Sequence, residues 1–209
     1  MLLFVSFRCM VWSETLKPVT MILINKNILE AKQSKDIIIK PFIRKFLGPT
    51  SYDLHLARTL SFFGTLETFH DFKEHGTRYE LRPGDFVLGC SLELIGVPTG
   101  KYEGRIDGTS SLGRAGIATH ITASKLNPGH TLHITMEIKN VSNENQYLYW
   151  GMPIGQITFE ELKEPVDVTN LQRSYGNPDF QLNPMPQKSK LIEKTKEARD
   201  LLKKRGFLK

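Results

Sequence analysis

Between Asp107 and Gly116 the chain reads Asp-Gly-Thr-Ser-Ser-Leu-Gly-Arg-Ala-Gly. Glycines let backbone N–H groups converge, Ser110 and Ser111 offer paired hydroxyls, and Arg114 adds a guanidinium. Together these groups can cradle a phosphate. Read locally, such a loop is more often only a turn. Farther along, Leu132 to Lys139 alternates with the period of a strand: Leu132, Ile134, Met136 and Ile138 fall on one face, His133, Thr135, Glu137 and Lys139 on the other. Glu137 therefore points away from the apolar face. Read locally, it is a solvated strand carboxylate, the usual fate of such a residue.

Other chemistries lack their residues. A zinc-dependent nucleobase deaminase carries His-x-Glu followed by Pro-Cys-x-x-Cys, and neither occurs here; the nearest histidines are His120 and His133. There is no GxxxxGK[ST] phosphate loop and no GxGxxG after a strand. Cys9 and Cys90 have no CxxC spacing and are too few for a disulfide framework or a thiolate zinc site, so a buried Cys90 in a strand is expected.

The elements that must hold these residues read as strands and turns. With 209 residues, 40% apolar and 24% charged, the composition is that of a globular protein. Asn27 to Lys35 suggests a short helix with Ile28, Leu29 and Ala31 on its apolar side, and Ile37 to Ile39 a β-branched strand. Short apolar runs then alternate with turn signals at Gly48-Pro49, Arg82-Pro83-Gly84-Asp85, Pro98-Thr99-Gly100, Asn127-Pro128-Gly129 and Trp150-Gly151. That spacing predicts an antiparallel sandwich or barrel rather than βαβ units.

Three regions follow. Residues 1–20 read as a leader or an upstream-start extension, expected to be disordered; residues 21–186 form the main domain; residues 187–209 form a basic C-terminal helix or tail. Nine Lys or Arg against three acids between Gln187 and Lys209 account for the whole net charge of +6. A nucleic-acid domain spreads its basic face over its body, so no nucleic-acid partner is expected. Ser189 precedes a helical pattern (Leu191, Ile192, Ala198, Leu201, Leu202) that stops near Gly206. Packing on the body or a neighbouring subunit is the commoner fate of such a helix, with membrane or RNA contact the alternative. No run approaches the ~20 apolar residues of a spanning helix and no secretory signal is legible, so a cytoplasmic protein without a membrane partner is expected.

In order along the chain, Asp107 to Gly116, His120 to Ala123, Pro128-Gly129, Glu137 with Asn140, and Gly151 to Gln156 resemble the dCTP deaminase branch of the dCTP deaminase/dUTPase superfamily. Upstream, Ile39-Lys-Pro-Phe42, Ser51-Tyr-Asp-Leu-His-Leu56 and Arg82-Pro-Gly84 followed by Leu88 and Glu93 resemble its opening motifs. The match runs from about Met21 to Phe159.

The resemblance implies a mainly β fold, a distorted antiparallel β-barrel with a short N-terminal and a C-terminal helix. It implies a homotrimer or dimer of trimers with sites at subunit interfaces, Mg²⁺ carried by the triphosphate, and no zinc. The activity implied is hydrolytic deamination of dCTP to dUTP and ammonia, with dUTP pyrophosphatase or a bifunctional enzyme as alternatives and a non-catalytic nucleotide-binding homologue as a rival of another class. Glu137 would take a proton from water and pass it to the cytosine ring as water attacks C4. Ser110 would help hold the water or amino group, and Arg114 would support the site electrostatically. Ser111 and the main chain of Thr109, Leu112 and Gly113 would meet the phosphates, Ile121, Thr122 and Ala123 the base edge, Asn127 the sugar. Thr135, Met136, Tyr175 and Asn183 complete the substrate-binding set.

Three positions depart from the family pattern. Thr109 stands where an arginine usually precedes the paired serines. Asn127-Pro-Gly-His130 replaces Asp-Pro-Gly-Trp, whose aspartate bonds the sugar and in dUTP-hydrolysing members helps activate water; asparagine hydrogen-bonds but is a poor base. Asp179-Phe-Gln-Leu-Asn183 stands where a motif with a phosphate-binding lysine is expected. These changes tilt the expectation from dUTP hydrolysis toward deamination.

Overall fold

The computed structural model describes residues 21–62, 69–169, 195–196 and 199–200. In chain order its elements are β1 (Met21–Ile22), α1 (Asn25–Gln33), β2 (Ile38–Lys40), a 3-10 turn (Arg44–Phe46), β3 (Ser51–His55), β4 (Thr59–Phe62), β5 (Phe69–Asp71), β6 (Arg78–Leu81), β7 (Phe86–Gly96), β8 (Tyr102–Asp107), α2 (Ser110–Arg114), β9 (Ile117–Ala118), β10 (Lys125–Leu126), β11 (Thr131–Asn140), β12 (Gln146–Tyr149) and β13 (Pro153–Glu161). The fold is mainly β. Each of the five turn signals falls in a connection, and every strand pair is antiparallel.

Two long strands organise the body. β7 takes β11 along one edge and β4 and β2 along the other; β13 takes β8 along one edge and β3 and β1 along the other. β9 extends the first sheet beyond β11, and β10 the second beyond β8, while β6 and β12 form a separate ribbon. One buried apolar cluster contains Leu60, Val87, Ile95 and Ile138 of the first sheet together with Leu54, Ile106, Ile157 and Phe159 of the second. The pairings of the described residues thus make two open sheets and a ribbon sharing a core, where the sequence led us to expect a distorted barrel; no ladder among them closes a ring.

The predicted N-terminal helix begins two residues earlier than expected, and buries Ile28 and Ala31 with Leu29 half-buried. β11 keeps its predicted alternation, with Ile134, Met136 and Ile138 buried. Its pairing with β7 is irregular: from His133↔Leu94 to Thr135↔Cys90, β11 advances two residues while β7 advances four. The extra residues lie on β7, where the Ser91 hydroxyl accepts the Ile134 N–H at 2.8 Å. A bulge on the partner strand preserves the phase of β11, so Glu137 stays on the face opposite the core. Cys90 is buried in β7 as expected, and burial pushes its thiol up to about 12.

The leader 1–20, Tyr175, Asn183 and the boundary at 186/187 lie outside the described residues. Of the tail, Thr195, Lys196, Arg199 and Asp200 are described and helical. No helix among the described residues is long and apolar enough to cross a membrane.

Candidate active site

The centre of the site is Glu137. Its Oε2 accepts the N–H of Ile121 at 2.8 Å and that of Thr122 at 3.1 Å. The Thr122 hydroxyl stands 3.5 Å from Oε1, at the limit of a hydrogen bond. Two successive N–H groups converge because His120 before them is left-handed, at φ 62°, an arrangement that makes an anion-binding nest. Oε2 is held by the main chain and Oε1 has one long contact, so the carboxylate presents one weakly held oxygen on the open face of β11. Thr135, two residues back, is exposed on that face.

Beside these amides in sequence, His120 Nε2 and Thr119 Oγ1 are buried without a hydrogen-bond partner among the described residues. Burial holds the His120 imidazole below the usual histidine range, against the pull of Glu137 and Asp107. It is neutral at pH 7.

The second group rides on α2. A one-turn helix has little stability of its own and needs anchors. Thr109 is its N-cap, its Oγ1 accepting the Leu112 N–H at 3.4 Å, and the Leu112 side chain, 3% exposed, plugs into the core. The remaining side chains face out. Ser110, Ser111, Gly113 and Arg114 are exposed; the two hydroxyls and the guanidinium have no partner among the described residues. The structural ion pair that could have explained Arg114 is therefore not made there. The residues after α2 return to the site, since β9 pairs with β11 at Lys139↔Ala118 and Asn140↔Ile117.

Two of the expected substrate contacts need correcting at the level of side chains. Leu112 is a core anchor, and Met136 is 0% exposed within the apolar cluster; the alternation that turns Glu137 outward turns Met136 inward. Met136 as a whole residue is closed to solvent, its main chain included. Ile121, Thr122, Ala123 and Asn127 are exposed. Asn127 opens a turn whose Gly129 N–H and His130 carbonyl both bond to the main chain of Val97, fixing it on the end of β7.

The opening motifs meet elsewhere. His55 Nδ1 lies 2.7 Å from Glu93 Oε1, and the His55 N–H donates to Oε2 at 3.0 Å, both residues buried. They tie β3 to β7 and serve the core. Gln156 is a neighbour that residue reading passed over: it lies in register with Asp107 and accepts the Ser51 hydroxyl at 3.2 Å. Its membership of the Gly151–Gln156 run was the available signal. A cavity of about 320 Å³ between β1, α1 and Tyr102 shares no residue with this set.

Residues 22–162 match the family model described as dCTP deaminase-like. Proteins named "dCTP deaminase, dUMP-forming" from Corynebacterium jeikeium and Mycolicibacterium smegmatis are 34% and 33% identical over 185 residues, covering 82% of this chain and 98% and 97% of their own. The crystal structure of 2'-deoxycytidine 5'-triphosphate deaminase from Agrobacterium tumefaciens matches at TM-score 0.56 and 17% identity, a likeness of fold. That match covers 69% of this chain and 49% of the other, so the chain spans about half the length of that protein.

Proposed function

This chain belongs to the dCTP deaminase-like family, and from that premise we propose that it deaminates dCTP hydrolytically in deoxypyrimidine nucleotide metabolism. The observation that carries the reading is the Glu137 carboxylate, fixed at Oε2 by the Ile121 and Thr122 amides, with only the long Thr122 hydroxyl contact of 3.5 Å on Oε1. Such a group can accept a proton from water as the water attacks C4, then return it to the ring and so allow ammonia to leave. General base work of this kind contributes about 10² to 10⁴ in rate. Ser110 orients the water or the amino group, and Arg114 offsets charge developing on the ring. The exposed hydroxyl of Ser111 and the α2 main chain take the phosphates.

The Mg²⁺ enters with the triphosphate, as part of the substrate, and no zinc is required. The site lies at a subunit interface of a homotrimer, a neighbouring copy closing it. The setting is cytoplasmic. All of these follow the family reading.

The product is where the relatives modify the expectation. The family resemblance implied dUTP, whereas the relatives are named as dUMP-forming, which favours the bifunctional alternative: dCTP and water give ammonia and a deoxyuridine triphosphate, and a second water releases pyrophosphate to leave dUMP. Asn127, a weak base where the family pattern has a carboxylate, slows that second step. A non-catalytic nucleotide-binding homologue is a second reading, favoured by Thr109, which caps α2 where a cation was expected.

The test is direct. The pure protein is incubated with Mg²⁺ and dCTP or dUTP in turn and the products are resolved. Ammonia with dUMP or dUTP supports deamination, dUMP from dUTP alone supports a pyrophosphatase, and binding of both nucleotides without turnover supports the non-catalytic reading.

A further inference from the structure

Helix α2 and strand β11 carry the two halves of the site, and the β9–β11 ladder joins them only from Ile117 onward. Resting on the deaminase reading, we infer that the turn after β11 does so, with Ser142 seated against Gly116 and Asn140 holding Ser142; the two are positioning residues for Ser110 and Arg114.

The contact between the two elements is close. Gly116 directly follows the C-cap of α2, Ala115. A Cβ added to it would lie 2.5 Å from Ser142 Cβ, closer than real Cβ atoms come, and a tight 3.1 Å from Ser142 N. The Gly116 carbonyl accepts the Val141 N–H at 2.8 Å. The end of the helix thus presses main chain to main chain on the turn, with no space for a methyl group between them.

The turn is itself rigidly held. Asn140 is 0% exposed. Its Nδ2 donates to the carbonyls of Leu81 and Glu144, both at 2.8 Å, and its Oδ1 accepts the N–H of Ser142 at 2.9 Å and the hydroxyl of Ser142 at 2.7 Å. The Asn140 main chain adds bonds to Gly84 and Asp85. A fully satisfied buried network of this kind has one low-energy arrangement. Asn140 follows Glu137 by three residues on one strand, and Gly116 follows Arg114 by two, so the Ser142–Gly116 contact and the Val141–Gly116 hydrogen bond join the strand of the base to the helix of the cation within a few residues of each. Displacements of about 1 Å between groups that act together can cost ~10²-fold in rate.

A simpler account makes Gly116 a glycine only because its φ of 75° suits a helix C-terminus. Gly151 separates the two accounts: it has the same φ of 75°, and an added Cβ there meets nothing within 4 Å. Gly151→Ala therefore brings the backbone strain without the collision. The experiment measures kcat for dCTP and the melting temperature of the full chain, with kinetics run well below every melting temperature. Expected are a lower melting temperature with unchanged kcat for Gly151→Ala, and a kcat loss of at least about tenfold for Gly116→Ala. Ser142→Gly, which removes the opposing Cβ, restores most of kcat when combined with Gly116→Ala. Equal kcat in the two alanine variants, or a double variant no faster than Gly116→Ala alone, would overturn the inference. Should Gly116→Ala not fold, Ser142→Ala removes the hydroxyl that Asn140 holds without straining Gly116; a several-fold lower kcat supports the inference and an unchanged kcat overturns it. A wild-type protein that leaves dCTP intact overturns the deaminase reading instead.

Discussion

The backbone N–H of Ile121 donates to the Glu137 carboxylate at 2.8 Å, across sixteen residues of chain. With the Thr122 N–H at 3.1 Å on the same oxygen, the bond turns a half-exposed strand carboxylate into an oriented one. A solvated glutamate on a strand would keep its rotamers; this one has given them up for two main-chain donors.

Glu137→Gln follows from that geometry. The amide keeps the shape, and its oxygen still accepts from Ile121 and Thr122, but it cannot take a proton. Deamination is expected to fall by about 10² to 10⁴ with unchanged circular dichroism and melting temperature. Steady-state ammonia release checks this, and near-normal turnover would remove Glu137 from the mechanism.

Asn127→Asp bears on the second product. The residue is exposed in a turn pinned to Val97, so a carboxylate there costs little structurally. The dUMP-to-dUTP ratio formed from dCTP is expected to rise. A ratio that does not move would mean that position 127 has no part in pyrophosphate release.

Asn140→Ala should be among the most destabilising single changes in the domain. It leaves the Leu81 carbonyl and the Ser142 N–H without the side chain that bonds them, while the Glu144 carbonyl keeps the Ser142 hydroxyl at 3.1 Å. With a penalty of about 1–3 kcal/mol for a buried group left unsatisfied, a loss of roughly 2–3 kcal/mol is expected by urea denaturation. A shift within experimental error would mean that water replaces the side chain.

Stability should fall as pH drops below neutral. Burial holds His120, His130 and His70 below the ordinary value of 6.5. Each therefore binds more protons unfolded than folded, so its contribution is present above pH 6.5 and is lost as pH falls below it. A further loss is expected under pH 3.8. There Asp71 and Asp36 lose the hydrogen bonds to Arg58 and to Ser34, Thr99 and Lys101, which outweigh burial and hold both carboxyls below their ordinary value. Thermal melts between pH 7.5 and 5 test the first step, and a flat profile would contradict it.

Much of this was legible without coordinates. Turn residues act through their own φ and ψ, and a strand's two faces follow from the period of two. Hence the five turns, the core face of β11 and the outward side of Glu137 could be read from residue types. The order of motifs carried the family, because it compresses many contacts into one pattern.

The tertiary structure decided what depends on register across the chain. No local rule says that the amides of residues 121 and 122 arrive at Glu137 rather than in water, since that requires the left-handed His120 and a bulge on β7 that leaves β11 in phase. Nor does one say that Leu112 and Met136 spend their side chains in the core, or that Ser142 meets Gly116 with no room for a methyl group. Propensity and alternation act over a few neighbouring residues. The positions of a base, a cation and their supports are fixed by packing between strands far apart in sequence, and only the folded chain brings them together.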